Sequence, residues 1–328
     1  MFSQLWKGMM LKGKLQPNRN RRSWLRWVGT GLATVLFIWL ISQQDLGAIW
    51  QAIRSLSLIT ILGAMGLFYF GQFWNALRWK ILLHARGASV STAYAFKLVL
   101  TGAFVSNFLP STIGGDAIRM VGIQQKIDDR GLSIASVIVD RTLNLAAMIT
   151  LLPLGLGALR TMLGGVPYNV LFATTPTLLL TSEREESRSL GKRLRVLIDP
   201  TRDSIGLWLS DPLTLLLALV ISWVSILVVF FAVWLLALDL GMTVSFLEVL
   251  VVSVVTYLIT LLPISLNGYG VREFAVTALY VGLGQSLELA VSLALVTRLL
   301  RLLETLPGAY WLPQLVPDND DDRQGAQE

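Results

Sequence analysis

The sequence predicts an all-α integral membrane protein, a polytopic helical bundle of about six spanning helices plus two broken re-entrant hairpins in an inverted repeat. Three observations carry that prediction. Of the 328 residues, 54% are hydrophobic and only 15% are charged, where a soluble globular chain carries roughly a quarter charged residues. The apolar residues form long unbroken blocks. Residues 213–238 contain no Asp, Glu, Lys or Arg, and as a helix they would measure about 39 Å against a hydrocarbon core of about 30 Å. Finally, two apolar blocks break at a Leu-Pro step followed by close glycines. With hairpin arms counted separately, the chain holds roughly six to ten hydrophobic segments.

The same composition excludes several function classes. With no cysteine there are no disulfides and no thiolate metal sites. His84 is the only histidine, so His-cluster metal sites and paired-imidazole chemistry are also excluded. There is no Gly-rich phosphate loop ending in Lys-Ser or Lys-Thr and no dinucleotide fingerprint, so neither ATP hydrolysis nor a nucleotide cofactor is expected. No catalytic residue, metal site or cofactor is assigned, and no nucleic-acid partner.

The elements follow in order. Residues 1–26 form a basic N-terminal segment, with Lys7, Lys12, Lys14, Arg19, Arg21, Arg22 and Arg26 and no acid. Standing directly before the apolar stretch 28–41, it reads as a cytoplasmic anchor. Ser42-Gln43-Gln44-Asp45 offers no small-x-small cleavage site, so that stretch is a retained first helix. The membrane domain occupies 27–312. Its second helix, 58–77, returns to the cytoplasmic interface, where Arg78, Lys80, His84 and Arg86 collect. Block 93–109 breaks at Pro110 and resumes as a weaker helix. Blocks 132–157, 166–180 and 213–238 follow, then 246–262 broken at Pro263, and finally 287–312.

The largest polar segment, 181–210, holds Arg184, Arg188, Lys192, Arg193, Arg195 and Arg202, with Leu190, Leu194, Leu197 and Ile198 on one helical face. It reads as a cytoplasmic amphipathic loop. A single crossing over 93–124 would put those basic residues outside, so the segment around Pro110 must enter and leave on one side. The external loops then retain only Arg54 and Arg160, and both termini are cytoplasmic. The tail 313–328, with Asp318, Asp320, Asp321 and Asp322, is acidic and predicted to be disordered.

The two broken blocks echo each other. One reads Leu109-Pro110-Ser111-Thr112-Ile113-Gly114-Gly115-Asp116, reaching Arg119; the other reads Leu262-Pro263-Ile264-Ser265-Leu266-Asn267-Gly268-Tyr269-Gly270, then Arg272-Glu273. Proline stops a helix, and glycine permits positive φ and close backbone approach. Unwound backbone survives in a bilayer only when buried in protein or facing water, and paired interruptions in two halves point to a transporter's binding site. Two helix N-termini aimed at the bilayer centre would suit an anion, and Arg119 and Arg272 would add full charges with a planar fork for phosphate. Ordinary kinked helices with packing glycines are the competing explanation, weakened because the motif occurs twice.

Asp140 and Arg141 lie inside an apolar stretch, where each costs roughly 2.5–3.5 kcal/mol at a helix centre. Sequence neighbours point about 100° apart on a helix, so each needs a partner elsewhere. Arg119, Arg272, Asp116 and Glu273 are the candidates, and Asn144 lies one turn beyond Asp140. A shallow, interfacial position for the pair is the alternative. The substrate-binding set is therefore Asp116, Arg119, Asp140, Arg141, Arg272 and Glu273, with Gly114, Gly115, Gly268 and Gly270.

These residues resemble the lysylphosphatidylglycerol synthase membrane-region family, also called the flippase-like domain family. The resemblance rests on Asn75-Ala76-Leu77-Arg78-Trp79-Lys80-Ile81-Leu82-Leu83, the Leu109 to Arg119 motif, Asp140-Arg141, the Leu262 to Glu273 motif and Arg298, and covers about 24–312. The family commonly has Glu-Arg and a later Asp where this chain has Asp140-Arg141 and Asn144, so the second acid is absent. Relatives fused to a soluble aminoacyl-transfer domain make aminoacylated lipid, and their membrane part is implicated in moving it between leaflets. Without that domain here, the resemblance implies a non-enzymatic flippase or transporter of the inner (plasma) membrane. Its cargo would be a membrane lipid or lipid-linked glycan, with a glycosyltransferase or lipid-modifying enzyme as a further partner. Two alternatives remain open: a membrane enzyme using Asp116, Asp140 or Glu273 as a base on lipid phosphate, and a non-transporting anchor for a glycosyltransferase.

Overall fold

The computed structural model describes residues 46–108, 113–127, 129–155, 157, 206, 208–261 and 270–315. The first helix, block 166–180, most of loop 181–210, both proline breaks and the acidic tail lie outside the described residues. Every described element is helical. In chain order they are α1 (Leu46–Ser55), α2 (Leu58–His84), α3 (Thr92–Phe108), α4 (Ile113–Gln124) and α5 (Arg130–Leu151), the last prolonged by a 3-10 turn, Leu152–Gly155. Then come α6 (Pro212–Asp239), α7 (Phe246–Leu261), α8 (Val271–Gly282), α9 (Leu287–Thr305) and α10 (Pro307–Leu315).

Polar caps set where the long helices begin. Ser57, Asp129, Asp211 and Ser286 accept backbone N–H bonds from Thr60, Leu132, Thr214 and Leu289, filling donors that the first helical turn leaves open. At α6 the capping Asp211 is followed by Pro212, whose missing N–H costs nothing at that position. By length and composition, Arg130–Gly155 and Pro212–Asp239 can each cross a membrane. The outer side of α6 leaves Leu213, Leu216, Leu217, Phe231 and Leu238 exposed, as suits a helix whose solvent is hydrocarbon.

The spine of the bundle is an antiparallel pair, α2 and α6. Ser57 N–H donates to Asp239 at 2.7 Å at one end, Ser225 Oγ donates to Gly71 O at 3.0 Å midway, and Trp208 Nε1 donates to Leu82 O at 3.0 Å at the other. Gly71 allows the close approach, because a Cβ there would stand 2.6 Å from Val229 Cγ2.

Two helical hairpins pack on this spine from opposite ends. In the first, α3 and α4 are joined by Tyr94 OH donating to Gly122 O at 2.7 Å. Its open end is tied to α2 by Lys80 Nζ donating to Thr92 Oγ1 at 2.9 Å, the end that also holds His84 and Trp208. In the second, α7 and α8 open at the Asp239 end, where Thr243 N–H donates to Gln285 at 3.1 Å and Trp234 Nε1 to Val244 O at 2.9 Å. The inverted pair of hairpins read from the sequence is therefore present. In the first hairpin Gly102 and Gly115 face each other. A Cβ on Gly115 would run into Ser106 Oγ and Gly102 O, and one on Gly102 would lie 2.7 Å from Gly115 O.

Three features differ from the sequence expectations. The second helix does not end at Leu77 but continues to His84, carrying Arg78 into the interior. Block 287–312 is two helices, because Pro307 supplies no N–H and α10 turns to pack on α3. Arg54, expected in a loop, belongs to α1, where its guanidinium stands 4.8 Å over the Trp50 ring and the helix packs on α9.

Candidate polar site between the hairpins

A cavity of about 380 Å³ lies between the two hairpins, lined by Gly102, Ser106 and Gly115 of the first and Thr260 and Arg272 of the second. A neighbouring cavity of about 310 Å³ shares Asn75, Asn144, Tyr257, Thr260, Arg272 and Arg301 with it. Together they form a polar interior in a bundle whose outer face is apolar.

On one side an ionic chain links α2, α4 and α5. Arg78 Nε donates to Asp140 Oδ1 at 2.7 Å, and Arg119 Nη2 donates to Asp140 Oδ2 at 2.8 Å. Arg119 also faces Asp116 at 3.8 Å, and Asp116 is ion-paired with Arg141. Asp140 and Arg78 are each only 3% exposed, so Asp140 is enclosed by protein. Arg78 further donates to Asn144 Oδ1 at 3.2 Å and Ser222 Oγ at 2.9 Å. The Arg119 guanidinium stacks 4.2 Å over the Trp79 ring. Two arginines sharing the buried Asp140, with further Arg78 donors on an amide and a hydroxyl oxygen, are what an ion pair needs to survive in a low-dielectric interior.

On the other side, Arg298 of α9 faces Glu273 of α8 at 3.7 Å. Arg301 donates to both oxygens of Glu304 at 3.2 and 2.9 Å, and Glu304 is 1% exposed. Glu273 also accepts the Gly270 N–H at 2.8 Å, closing the first turn of α8. Gly270 has φ +77°, the left-handed region that favours glycine. Arg272 lines both cavities and makes no ion pair with any described residue.

The structure thus brings Asp116, Arg119, Asp140, Arg141 and Gly115 together on one side of the cavity, with Arg272 opposite and Glu273 at the adjoining one. Gly114 sits in the first turn of α4, and Gly268 lies outside the described residues. Gly115 and Gly270 act through backbone geometry. The partners sought for Asp140 and Arg141 prove to be Arg119 and Asp116 of the first hairpin, not Arg272 or Glu273.

Sequence reasoning misread Arg78 as an interfacial charge because the apolar run ends at Leu77. The signal to the contrary was the apolar set Trp79, Leu82 and Leu83, which continues the helix and is fully buried. It also passed over Arg301 and Glu304, whose signal was two charges three residues apart inside an apolar block. Among the described residues no cluster of His, Asp and Glu could hold a metal ion.

The sequence model described as the lysylphosphatidylglycerol synthase TM region matches residues 26–308. No curated protein matches the chain. The matched span runs from before α1 to the start of α10 and encloses both hairpins and the whole ionic interior. This chain is a membrane protein and belongs to the lysylphosphatidylglycerol synthase TM-region family.

Proposed function

We propose that the protein is a lipid flippase or transporter that moves a phosphate-bearing membrane lipid or lipid-linked glycan between leaflets, its headgroup held in the cavity between the hairpins. One observation carries this reading: hairpins entering from opposite ends contribute to one cavity rich in arginine. A site reached by two pseudo-symmetric halves is the arrangement alternating access requires. The arginines supply paired N–H donors for phosphate, and acyl or prenyl tails remain in the surrounding lipid.

The enzyme alternative is less well supported. Both oxygens of Asp140 accept from arginines, Asp116 is paired with Arg141, and Glu273 accepts a backbone N–H. Lone pairs so occupied are poorly placed to take a proton from substrate. The test is reconstitution of the full chain into vesicles carrying fluorescent phospholipids in both leaflets. The expected result is faster loss of inner-leaflet label to an external quencher than in empty vesicles. Label loss at the empty-vesicle rate for every lipid tried would overturn the reading.

In this reading the protein resides in the cell's inner (plasma) membrane with the His84 end and both termini cytoplasmic, following the Arg and Lys distribution. The native chain has no cysteine, so single-cysteine labelling reports sidedness directly. Ser189→Cys and Gln125→Cys are expected to react with an impermeant maleimide only after the cells are opened. Reaction of either in intact cells would reverse the topology.

A further inference from the structure

The cavity of about 310 Å³ differs in character from the ionic one beside it. The boundary between them is polar, formed by Asn75, Asn144, Tyr257, Thr260, Arg272 and Arg301, which line both. From there the chamber runs toward the Asp239 end, where Val233 of α6 and Tyr280 of α8 line it. Beyond the boundary the one charged described residue on its wall is Glu273, which faces Arg298 and accepts the Gly270 N–H. The remaining wall is made of apolar side chains and hydroxyls. Thr256, Tyr280 and Thr297, from α7, α8 and α9, line this chamber and are 3%, 1% and 8% exposed. Their hydroxyls hydrogen-bond to no described residue. By contrast, Ser222, Thr260 and Thr305 each donate to a carbonyl one turn back in their own helix.

A buried hydroxyl left without a partner is costly, and native interiors rarely leave one so. Three of them, brought to one chamber by three helices, define the chemistry the chamber can receive. A hydroxyl both donates and accepts, so another hydroxyl satisfies it. An ammonium group would need a carboxylate, and Glu273 is already engaged by Arg298 and the Gly270 N–H. The apolar wall, which includes the Phe230 ring, suits the C–H faces of a saturated ring. We propose that the chamber is a subsite for an uncharged, hydroxyl-rich ring, a hexose or cyclitol, esterified to the phosphate that the arginines hold. Arg272 and Arg301 stand on the boundary, so a phosphate beside them places its ester substituent at the chamber's mouth. The volume matches the lower end of the range of about 300–1,000 Å³ for small-molecule pockets. This inference rests on the proposed reading of the ionic cavity as a headgroup site. It narrows the cargo to lipids whose phosphate carries such a ring, as against bare phosphates and amine headgroups.

Two short-chain lipids of equal charge isolate hydroxyl recognition: phosphatidylinositol, and phosphatidylcyclohexanol, the same ring ester without ring hydroxyls. A second pair, citronellyl phosphoglucose and citronellyl cyclohexyl phosphate, offers the ring on a prenyl chain instead of a diacylglycerol. The measurement is titration calorimetry on the full chain in neutral detergent. In at least one pair the hydroxylated lipid is expected to bind about tenfold more tightly, although its partner is the more apolar. The pair that shows the preference identifies the source of the ring. Tyr280→Phe, Thr256→Val and Thr297→Val each remove a hydroxyl that bonds to no described residue, so each variant is expected to fold as the native chain does. Each alone should lower the preference roughly two- to threefold, and the three together should bring it within about twofold of equality. Equal affinities within both pairs would overturn the proposal, as would a native preference undiminished in the three variants; water alone would then serve the hydroxyls. No binding of any of the four lipids would overturn the headgroup site along with the subsite. Leaflet exchange is scored separately on the same lipids. Exchange without preference sinks only the ring subsite, and preference without exchange sinks only transport.

Discussion

Asp140→Asn is expected to be the most damaging single substitution in the protein. Asp140 is the shared acceptor of Arg78 and Arg119; without it Arg78 loses its carboxylate partner and Arg119 keeps only Asp116, at 3.8 Å. Removing one member of a buried ionic set costs about 3–5 kcal/mol, because the charges left behind stay buried and unpaired. The expected outcome is a large loss of monodisperse protein after extraction and a lower unfolding midpoint in detergent. Combining Asp140→Asn with Arg78→Gln removes the cation left without a carboxylate and should recover a measurable part of the loss. Strict additivity of the two single effects would mean the groups act independently, contrary to the 2.7 Å contact between them.

Arg272→Gln and Arg119→Gln are expected to lose most lipid exchange by different routes. Arg272 has no described ion-pair partner, so its Gln variant should fold as the native chain does while exchange per folded molecule falls roughly ten- to a hundredfold. Arg272→Lys keeps the charge without the planar fork and should retain an intermediate rate. Arg119 is both a cavity residue and a member of the Asp140 chain, so Arg119→Gln should reduce yield and exchange together. Counting exchange per folded molecule, from the monodisperse fraction, separates the two routes. Native-rate exchange by well-folded Arg272→Gln protein would remove Arg272 from the headgroup site.

The helical bundle and its two interruptions were legible in the sequence because their causes are local. A run without charges, a proline that ends a helix and a glycine at positive φ each act within a few residues. The match between the read and observed bounds at Phe246–Leu261 and Pro212–Asp239 reflects that. The site was only half legible. That Asp140 needed a partner followed from its apolar surroundings, but Arg78 as that partner depends on α2 lying beside α5, a tertiary fact with no trace in either segment alone. Arg78 also looked wrong in isolation, since a single arginine after an apolar run is the usual mark of an interface. Gly115 could be recognised as a residue with a backbone role, yet that Gly102 stands opposite it emerges only from the packing of α3 on α4. Pro307 was visible in the last apolar block, but its effect depends on α3 being there to receive α10.

The joint at Leu306 and Pro307 links parts of the molecule that otherwise belong to different halves. Before it, α9 packs on α8 of the second hairpin; after it, α10 packs on α3 of the first, with Gly308 seated against the Leu100 backbone. Just ahead of the joint, Asn107 Nδ2 donates to Thr305 Oγ1 at 2.9 Å. The pair α9–α10 therefore holds contacts with both hairpins across one joint, so neither hairpin can shift along the bundle axis without disturbing its packing against one of these two helices.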